Sequence, residues 1–538
     1  MRRCGRMWMV ALILSGVLLA GGCSQDSEKA GGAVLPAPAR PGGQVVYASL
    51  HEPALLNPYL SDAVSVHEMS RLLFSGLLVS QPNGELQADL VRDIPSVQNG
   101  GVSPDGLTIR YQLRTGITWH DGAPFTAEDV RFTWEYVMNA KTQAVSREGY
   151  DRIRTVETPD PYTVVVKFRE AYSDWASLFK TILPKHLLAG TDPNKGTFQR
   201  KPIGTGPFRL QEWRMADGLV FTANERYFRG KPKVDTIFYK IVPDETLLIA
   251  QAKSGEVDVA PHFGNQAYDQ MRSQTNFQVV ATPGPIWEQI TFNLDHPLFK
   301  DIRVRQALAL GIDRNLLAQQ VLKGAGIAAW ADQPPVSWAY VNEGIPARDL
   351  KTAKELLAQA GWAAQNGNML QKEGKPLAFA LTVPGGNKQR ELVAQAIVQQ
   401  WKELGVSAQL QVVDAKNFEQ TYRQRPFAAA FFAWVRSVDP DNRIYWHSRF
   451  VGQGGLNPAG WRNPQIDALT LQGAATPDLA ARKEIYKQIG ALMATDVPVI
   501  PLYFRCQLDA SKNGLNAFKP NPVEGDLWNA WEWAWAAR

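Results

Sequence analysis

The sequence predicts an α/β fold that contains several sheets and more than one lobe. Runs of β-branched and aromatic residues alternate along the chain with segments that carry an apolar stripe at helical spacing. The chain has 538 residues, more than one hydrophobic core usually supports, so we expect two or three lobes. The sequence contains no internal repeat of fixed period.

Seven runs predict strands, because each is rich in β-branched or aromatic residues and is bounded by turn residues. Six of them precede residue 283, at residues 45–50, 107–113, 162–168, 219–223, 236–242 and 277–282. The seventh, at residues 406–413, alternates apolar and polar positions and therefore predicts a half-buried strand.

Three predicted helices have recognisable ends. Asp349 is a typical N-cap before an apolar stripe, and Gly361 follows that stripe as a stop. Residues 389–404 repeat this design and also end before a glycine. Thr126 is the expected N-cap of the third helix, because two acidic residues favour the positive end that follows it.

The N-terminus predicts an export signal with a lipid anchor. Arginines precede an apolar run from Met7 to Ala20, which is shorter than the ~20 residues that span a bilayer core. Small residues then precede Cys23, an order that resembles a bacterial lipoprotein signal, in which the cysteine is lipidated after cleavage. We predict a signal peptide over residues 1–22 and a flexible tether over 23–41, whose small and polar composition cannot form a core.

Charge and cysteine content argue against a nucleic-acid-binding protein and against a fold held by intramolecular disulfides. Without the signal peptide the chain keeps 54 basic and 52 acidic residues and no basic block, so a nucleic-acid partner is not expected. Cys4 belongs to the signal peptide and Cys23 to the lipidation position. Cys506 therefore has no partner for an intramolecular disulfide.

The sequence contains no recognisable catalytic motif. It lacks a nucleophile elbow, a zinc-protease helix and a phosphate-binding loop, and its seven histidines are scattered. Residues 439–450 start like a calcium loop, but Arg443 and Ile444 stand where that loop needs an oxygen ligand and a glycine. We therefore expect no enzyme activity, no metal site and no cofactor, and binding is the simplest function.

Six motifs, in a fixed order, resemble one known family. They lie at residues 56–78, 103–137, 202–213, 248–260, 290–324 and 349–362. They resemble the family 5 extracellular solute-binding proteins, which capture oligopeptides, dipeptides, nickel complexes and some oligosaccharides for ABC importers. The resemblance spans about residues 42–538. It implies a two-lobed periplasmic-binding-protein fold of the class II type, with an extra third domain and a ligand cleft between lobes that close by hinge rotation.

The resemblance also implies that the chain crosses between the lobes more than once. An additional domain would occupy residues 86–199, and a ligand-gripping lobe II would occupy residues 296–507. Lobe I would combine residues 42–85, 200–295 and 508–538.

Residues 431–450 resemble the segment that carries a ligand-anchoring group in this family. In the family's peptide binders an acidic residue shortly before an Asp-Pro turn pairs with the peptide's α-ammonium, but here Arg436 stands before Asp439. In one interpretation Asp439 or Asp441 binds the ammonium, and Arg436 is turned away or paired to one of them. In the other, Arg436 binds a carboxylate, a phosphate or sugar hydroxyls, which suit its planar fork.

The predicted ligand-binding residues come from both lobes, and aromatic rings among them would stack on apolar side chains or sugar faces. They are Trp434, Arg436, Asp439, Trp461 and Asn293, with Ser65 and His67 from lobe I. His67 and His447 keep a nickel complex open as a cargo.

The resemblance implies a monomeric, lipid-anchored subunit of an ABC importer on the periplasmic or extracellular face of the cell membrane. It would capture peptides and deliver them to permease subunits that work with cytoplasmic ATPases. An oligosaccharide, an anionic solute or a nickel complex remains an alternative cargo, and ligand sensing remains an alternative role.

Overall fold

The computed structural model describes residues 39–40, 42–364, 369–452 and 455–537, without the side chains of residues 39–40 and 419–421. The predicted signal peptide, Cys23 and most of the predicted tether lie outside the described residues. Within them, no helix combines the length and the apolar character needed to cross a membrane.

Strands and helices alternate along the described chain. The strands are β1 Ala39–Arg40, β2 Gln44–Ser49, β3 Leu78–Ser80, β4 Leu86–Ala88, β5 Thr108–Gln112, β6 Ile153–Asp160, β7 Thr163–Phe168, β8 Phe208–Arg214, β9 Gly218–Ala223, β10 Thr236–Ile241, β11 Val259–Ala260, β12 Phe277–Phe292, β13 Gly326–Ala328, β14 Ala363–Ala364, β15 Leu370–Lys372, β16 Lys375–Pro376, β17 Ala378–Pro384, β18 Ser407–Val413, β19 Ala429–Val435, β20 Val499–Lys512, β21 Leu515–Asn516 and β22 Ala534–Ala536. The α-helices are α1 Val64–Leu73, α2 Ala127–Met138, α3 Lys185–Leu188, α4 Glu245–Ser254, α5 Asn265–Arg272, α6 Ile302–Leu310, α7 Arg314–Leu316, α8 Leu350–Gln359, α9 Lys388–Lys402, α10 Ala415–Gln424, α11 Arg443–Trp446, α12 Pro464–Ala475 and α13 Leu479–Asp496. Short 3-10 helices connect several of them.

The predicted helix ends are present. The Asp349 carboxylate caps α8 by accepting hydrogen bonds from the backbone N–H groups of Lys351 and Thr352, both at 3.0 Å. Thr126 and Asp129 form a reciprocal capping box at the start of α2. These ends were predictable because the capping residues lie beside the backbone groups that they satisfy.

All seven predicted strands are present, but β12 is much longer than residues 277–282. It continues through Pro283, Gly284 and Pro285 to Phe292, although proline and glycine usually end a strand. The pairing with β20 shifts register between Pro283 and Trp287. This irregularity accommodates prolines, which cannot donate ladder hydrogen bonds, inside a central strand.

Eleven of the described strands form one sheet. Its order is β18-β17-β19-β12-β20-β11-β2-β10-β9-β8, with β13 paired to β20 beside this path. The pairs β17–β18, β17–β19, β2–β10 and β2–β11 are parallel, and the remaining pairs are antiparallel. Further small sheets, such as β5-β7-β6 and β3-β4, lie outside it.

The long strands β12 and β20 occupy the centre of this sheet and connect its two ends. The first part of β12 pairs with the second half of β20, next to β11 and β2. The last part of β12 pairs with the start of β20 on one side and with β19 on the other. β12 and β20 therefore join the part of the sheet that contains β19 to the part that contains β11 and β2.

The buried apolar residues form separate clusters in different stretches of the chain. One cluster lies within residues 77–182, and the largest lies within residues 290–503. A third draws mainly on residues 45–74, 183–259 and 515–533. The first of these clusters comes from one stretch of the chain and the third from several separate segments. The division into two lobes and an additional domain stays a prediction.

Candidate functional site

Two adjoining cavities lie where β19 runs into the Asp-Pro turn. The first cavity has a volume of about 220 Å³ and the second a volume of about 420 Å³. Their shared wall consists of Ser173, Asp174, Arg436, Ser437 and Asp439. Volumes of this order suit a small organic ligand.

Distant parts of the sequence build these walls. The first cavity takes Ser80 from β3, Pro285 from the irregular part of β12, Trp338 from a loop and Pro522 from the C-terminal region. The second cavity adds residues from both sides of the Asp-Pro turn and from the stretch around Tyr172. The cavities therefore lie where segments of all three predicted domains meet.

Arg436 is held in place by the protein and still has free donors. Its backbone N–H donates to the carbonyl oxygen of Pro285 at 2.9 Å, and its Nη2 donates to Oδ2 of Asp332 at 3.0 Å. The guanidinium lies 4.4 Å from the centre of the Tyr445 ring. Its buried Nε and Nη1 atoms have no hydrogen-bond partner among the described residues. These two N–H groups can donate to oxygen atoms of a ligand.

Asp332 balances the charge of Arg436. Asp332 is fully buried, and its Oδ2 also accepts hydrogen bonds from Nδ2 of Asn442 at 3.0 Å and from Nε1 of Trp446 at 2.8 Å. Donors from Arg436, Asn442 and Trp446 thus satisfy this buried carboxylate oxygen. The Arg436 guanidinium is therefore one half of a buried ion pair.

Asp439 is likewise paired. Both of its carboxylate oxygens accept from Arg482, at 2.8 and 2.9 Å, and both side chains are buried. Burial opposes the charge of Arg482, but the Asp439 carboxylate holds the pKa of that guanidinium above its usual range. Asp441 forms an ion pair with Arg443 at 2.7 Å. Neither acid of the Asp-Pro-Asp turn is thus free to neutralise a cationic ligand.

Asp174 and Lys180 are two further charged groups at the first cavity. Burial and the nearby Asp439 carboxylate raise the pKa of Asp174 to about 7. Burial and the positive charge of Arg71 lower the pKa of Lys180 to about 8. Lys180 Nζ lies 3.4 Å from Oε1 of Glu524, whereas Asp174 has no ion pair within the described part of the chain. Near neutral pH, Asp174 and Lys180 are therefore less ionised than they would be in water.

The end of β19 offers a free strand edge. β19 pairs with β17 only at Ala429 and Ala430, whereas its pairing with β12 continues to Val435. From Phe431 onward the second edge of β19 has no partner among the described strands. Val435 is 69% exposed, and it lines the second cavity. An extended chain can add to such an edge through backbone hydrogen bonds.

Three of the predicted ligand-binding residues pack inside the protein. Trp434 is half-buried in β19, with its ring 5.1 Å from that of Tyr445. Trp461 is buried and donates from Nε1 to Asp496 at 2.9 Å. Oδ1 of Asn293 accepts from Nη2 of Arg425 at 2.6 Å. None of these three is among the described residues that line the two cavities.

Ser65 and His67 lie on α1. Ser65 is buried, and its hydroxyl has no hydrogen-bond partner among the described residues. Partial desolvation, followed by the positive charges of Lys180 and Arg71, lowers the pKa of His67. His67 is thus close to the Lys180 end of the first cavity. Of the predicted residues, the structure brings Arg436 and Asp439 together in the cavity wall.

No local pattern in the sequence indicates three charged residues at this site: Asp174, Asp332 and Arg482. Arg436 and Asp332 are 104 positions apart, and Asp439 and Arg482 are 43 positions apart. Such partners share no sequence pattern, because only the tertiary fold brings them together. A charged residue next to proline or tryptophan in a loop occurs too often to indicate a binding site.

One cluster has the spacing of a metal site. Ligand atoms of His262, Asp509 and Asp526 all lie within 4.8 Å of one another. Nε2 of His262 is 3.0 Å from Glu68 and 3.2 Å from Asp526. Burial opposes charging, but the Asp526 and Glu68 carboxylates raise the pKa of His262 well above its ordinary value. The charged imidazolium then occupies the position that a cation would take.

A mixed α/β fold whose ligand-sized cavities collect residues from distant segments is typical of binding proteins. The chain belongs to the bacterial extracellular solute-binding proteins, family 5, because the model of that family's middle region matches residues 89–455. The resemblance inferred from the ordered motifs is thereby confirmed.

Similar proteins agree with this assignment. The oligopeptide-binding protein AppA of Bacillus subtilis (strain 168) is 29% identical over 554 residues, which cover 100% of both chains. The solved structure of AppA from Bacillus subtilis with a nonapeptide is 30% identical and has a TM-score of 0.60, covering 93% of this chain and 100% of that chain. HbpA2 from Haemophilus parasuis, at 24% identity and a TM-score of 0.74, covers 90% of this chain and 99% of its own, and it shares the fold. The predicted fold class is confirmed.

Proposed function

We propose that the protein is the substrate-binding subunit of an ABC importer and that its cargo is a peptide. Its family consists of extracellular solute-binding proteins, and its relative AppA is described as an oligopeptide-binding protein. One structural observation carries the proposal for this chain: the free edge of β19 ends in a cavity wall that contains the unpaired donors of Arg436.

In the proposed complex an extended peptide adds to the edge of β19 through its backbone. Backbone pairing gives affinity without sequence preference, and the second cavity leaves room for side chains and water. Nε and Nη1 of Arg436 donate to a carbonyl or carboxylate oxygen of the ligand, while Asp332 keeps the guanidinium in position. Asp439, fixed by Arg482, shapes the turn beside the ligand.

In the proposal, the other predicted ligand-binding residues act around the β19 edge, Arg436 and Asp439. Trp434 supports the β19 edge, and His67 and Ser65 lie toward the Lys180 end of the first cavity. Trp461 and Asn293 contribute through the packing behind the site. No histidine is among the described residues that line either cavity, so a nickel complex that needs a protein imidazole is not favoured.

We also propose the lobe arrangement that the family resemblance implies. Lobe I comprises residues 42–85, 200–295 and 508–538, and lobe II comprises residues 296–507, with the additional domain at residues 86–199. The separate hydrophobic clusters support this division. Closure of the lobes on the peptide is the signal that the permease recognises.

In this proposal the mature protein is a monomer held on the periplasmic or extracellular face of the cell membrane by a lipid on Cys23. The order of charged, apolar and small residues before that cysteine supports the anchor, and family membership supports the extracellular location. The partners are permease subunits with their cytoplasmic ATPases.

Calorimetry with peptides from dipeptides to nonapeptides tests the cargo. Arg436→Ala should weaken binding of the tightest peptide by about tenfold or more, because two charge-assisted hydrogen bonds are lost. Arg436→Lys should keep the pair with Asp332 but lose the planar fork, so it should also weaken binding. Arg443→Ala, at a partly exposed arginine of the same cavity, serves as the control.

Two results would contradict the proposal. One is the absence of binding by every peptide, together with native mass spectrometry that shows a sugar or a metal complex carried through purification. The other is unchanged peptide affinity in both Arg436 variants, which would remove Arg436 from the site.

A further inference from the structure

We propose that Asp174 is the carboxylate that binds the α-ammonium group of the ligand, an assignment that rests on the proposed peptide cargo. Both acids of the Asp-Pro-Asp turn, Asp439 and Asp441, are already paired with arginines. A cationic terminus therefore needs its partner from another element, and Asp174 lies on the same cavity wall as Arg436.

The pairing of the acids that line the two cavities singles out Asp174. Asp439 is paired with Arg482, Asp441 with Arg443 and Glu170 with Arg152. Glu148 and Asp174 have no ion pair within the described part of the chain, and Glu148 is exposed to solvent. Asp174 is thus the half-buried acid of these walls that forms no ion pair with a described cation.

The position of Asp174 suits a ligand that lies along β19. It immediately precedes the 3-10 helix Trp175–Ser177, and it lines both the first and the second cavity. Arg436 and Ser437, which share this wall, follow directly on the free edge of β19. A peptide on that edge can therefore place its amino terminus between the turn and Asp174, with its first carbonyl near the free donors of Arg436.

Electrostatics favour an ammonium at this place. The groups that face Asp174 are the carboxylate of Asp439, the cations Lys180 and Arg482, and the hydroxyl of Tyr172. Burial and Asp439 raise the pKa of Asp174 to about 7, which means that its ionised form lacks solvation. A ligand ammonium restores that stabilisation, since opposite charges at contact distance favour the ionised carboxylate.

This arrangement makes binding depend on pH. Below the raised pKa, Asp174 is protonated in the free protein and must lose its proton before it can pair with an ammonium. Affinity for a peptide with a free amine should therefore fall as the pH decreases from about 8 to about 5.5. Affinity for the same peptide with an acetylated amine should not follow this course.

Asp174→Asn, which keeps the shape of the side chain, tests the assignment with paired peptides. Each peptide from dipeptide to nonapeptide is titrated with a free and with an N-acetylated amino terminus. The unaltered protein should prefer the free amine by at least about 30-fold, the cost of leaving a half-buried charge unpaired. Asp174→Asn should reduce this preference below about threefold and remove the pH dependence. Glu484→Gln, a charge change at an exposed acid of α13 that lines neither cavity, should leave both unchanged.

The outcomes separate this assignment from the proposed cargo. If peptides bind and Asp174→Asn keeps the full preference for a free amine, Asp174 is not the anchor, although the cargo proposal stands. If Asp174→Asn weakens free and acetylated peptides equally, its effect is structural and the assignment is wrong. If no peptide binds the unaltered protein in either form, the cargo proposal fails first and the assignment fails with it.

Discussion

Arg482→Met should destabilise the protein strongly, because it breaks a buried ion pair in the cavity wall. The guanidinium is 1% exposed and its partner Asp439 is 7% exposed, with hydrogen bonds of 2.8 and 2.9 Å between them. The substitution leaves the Asp439 carboxylate buried without a cation and close to a second carboxylate, Asp174. It also removes the hydrogen bond from Nε to the carbonyl oxygen of Gly473 at 2.8 Å.

The expected loss is about 3–5 kcal/mol, the range for removing one partner of a buried pair. No large reduction for solvent screening applies, because both side chains are almost completely buried. Urea unfolding followed by tryptophan fluorescence measures it as a shift of the transition in which the region around Arg482 unfolds. The chain has several cores, so that transition is compared between variants and not treated as global unfolding.

The double variant Arg482→Met/Asp439→Asn is the matched control. It removes the uncompensated charge, so it should recover more than half of the loss, as expected when a charge and not packing is responsible. A loss below about 1 kcal/mol in Arg482→Met would refute the reasoning, since the pair would then behave like a solvent-screened surface pair. A double variant as unstable as the single variant would do the same.

Three further outcomes are expected. Glu288→Gln should cost about 3 kcal/mol in urea unfolding, because the fully buried Glu288 carboxylate is paired with both Arg390 and Arg505; a neutral result would show that the arginines are solvated instead. Cys23→Ser should move the protein from the membrane fraction to the soluble fraction and abolish labelling with a radioactive fatty acid, whereas unchanged labelling would exclude this anchor. Burial raises the pKa of Cys506 to about 12, so iodoacetamide should label it near neutral pH only after unfolding.

The structural features that the sequence predicted best are those determined by residues close together in the chain. The cap of α8 at Asp349 and the capping box of α2 at Thr126 were readable, because each involves groups within three positions. The extent of β12 was not, since Pro283 and Gly284 are turn residues in most contexts. Only the neighbouring β20 strand, far away in the chain, provides the pairing that keeps this segment extended.

The candidate site shows the same limit. The Asp-Pro turn marked the right region, and Arg436 and Asp439 do lie in the cavity wall. The turn did not indicate that both residues are already paired, because Asp332 and Arg482 are distant in sequence. Composition also does not tell a ligand-stacking tryptophan from a buried one, and Trp461 packs as a buried one with Asp496.

The central pair of long strands has a consequence for how the chain reaches its folded state. Glu288 of β12 and Arg505 of β20, which contact each other, are 217 positions apart. During synthesis β12 therefore exists without its central neighbour until almost the whole chain has been made, and contacts of such separation form slowly. The pairing of β12 is therefore completed only after β20 has been made. It also means that a deletion of the last forty residues would remove the β20 partner of β12 and prevent the central sheet from forming.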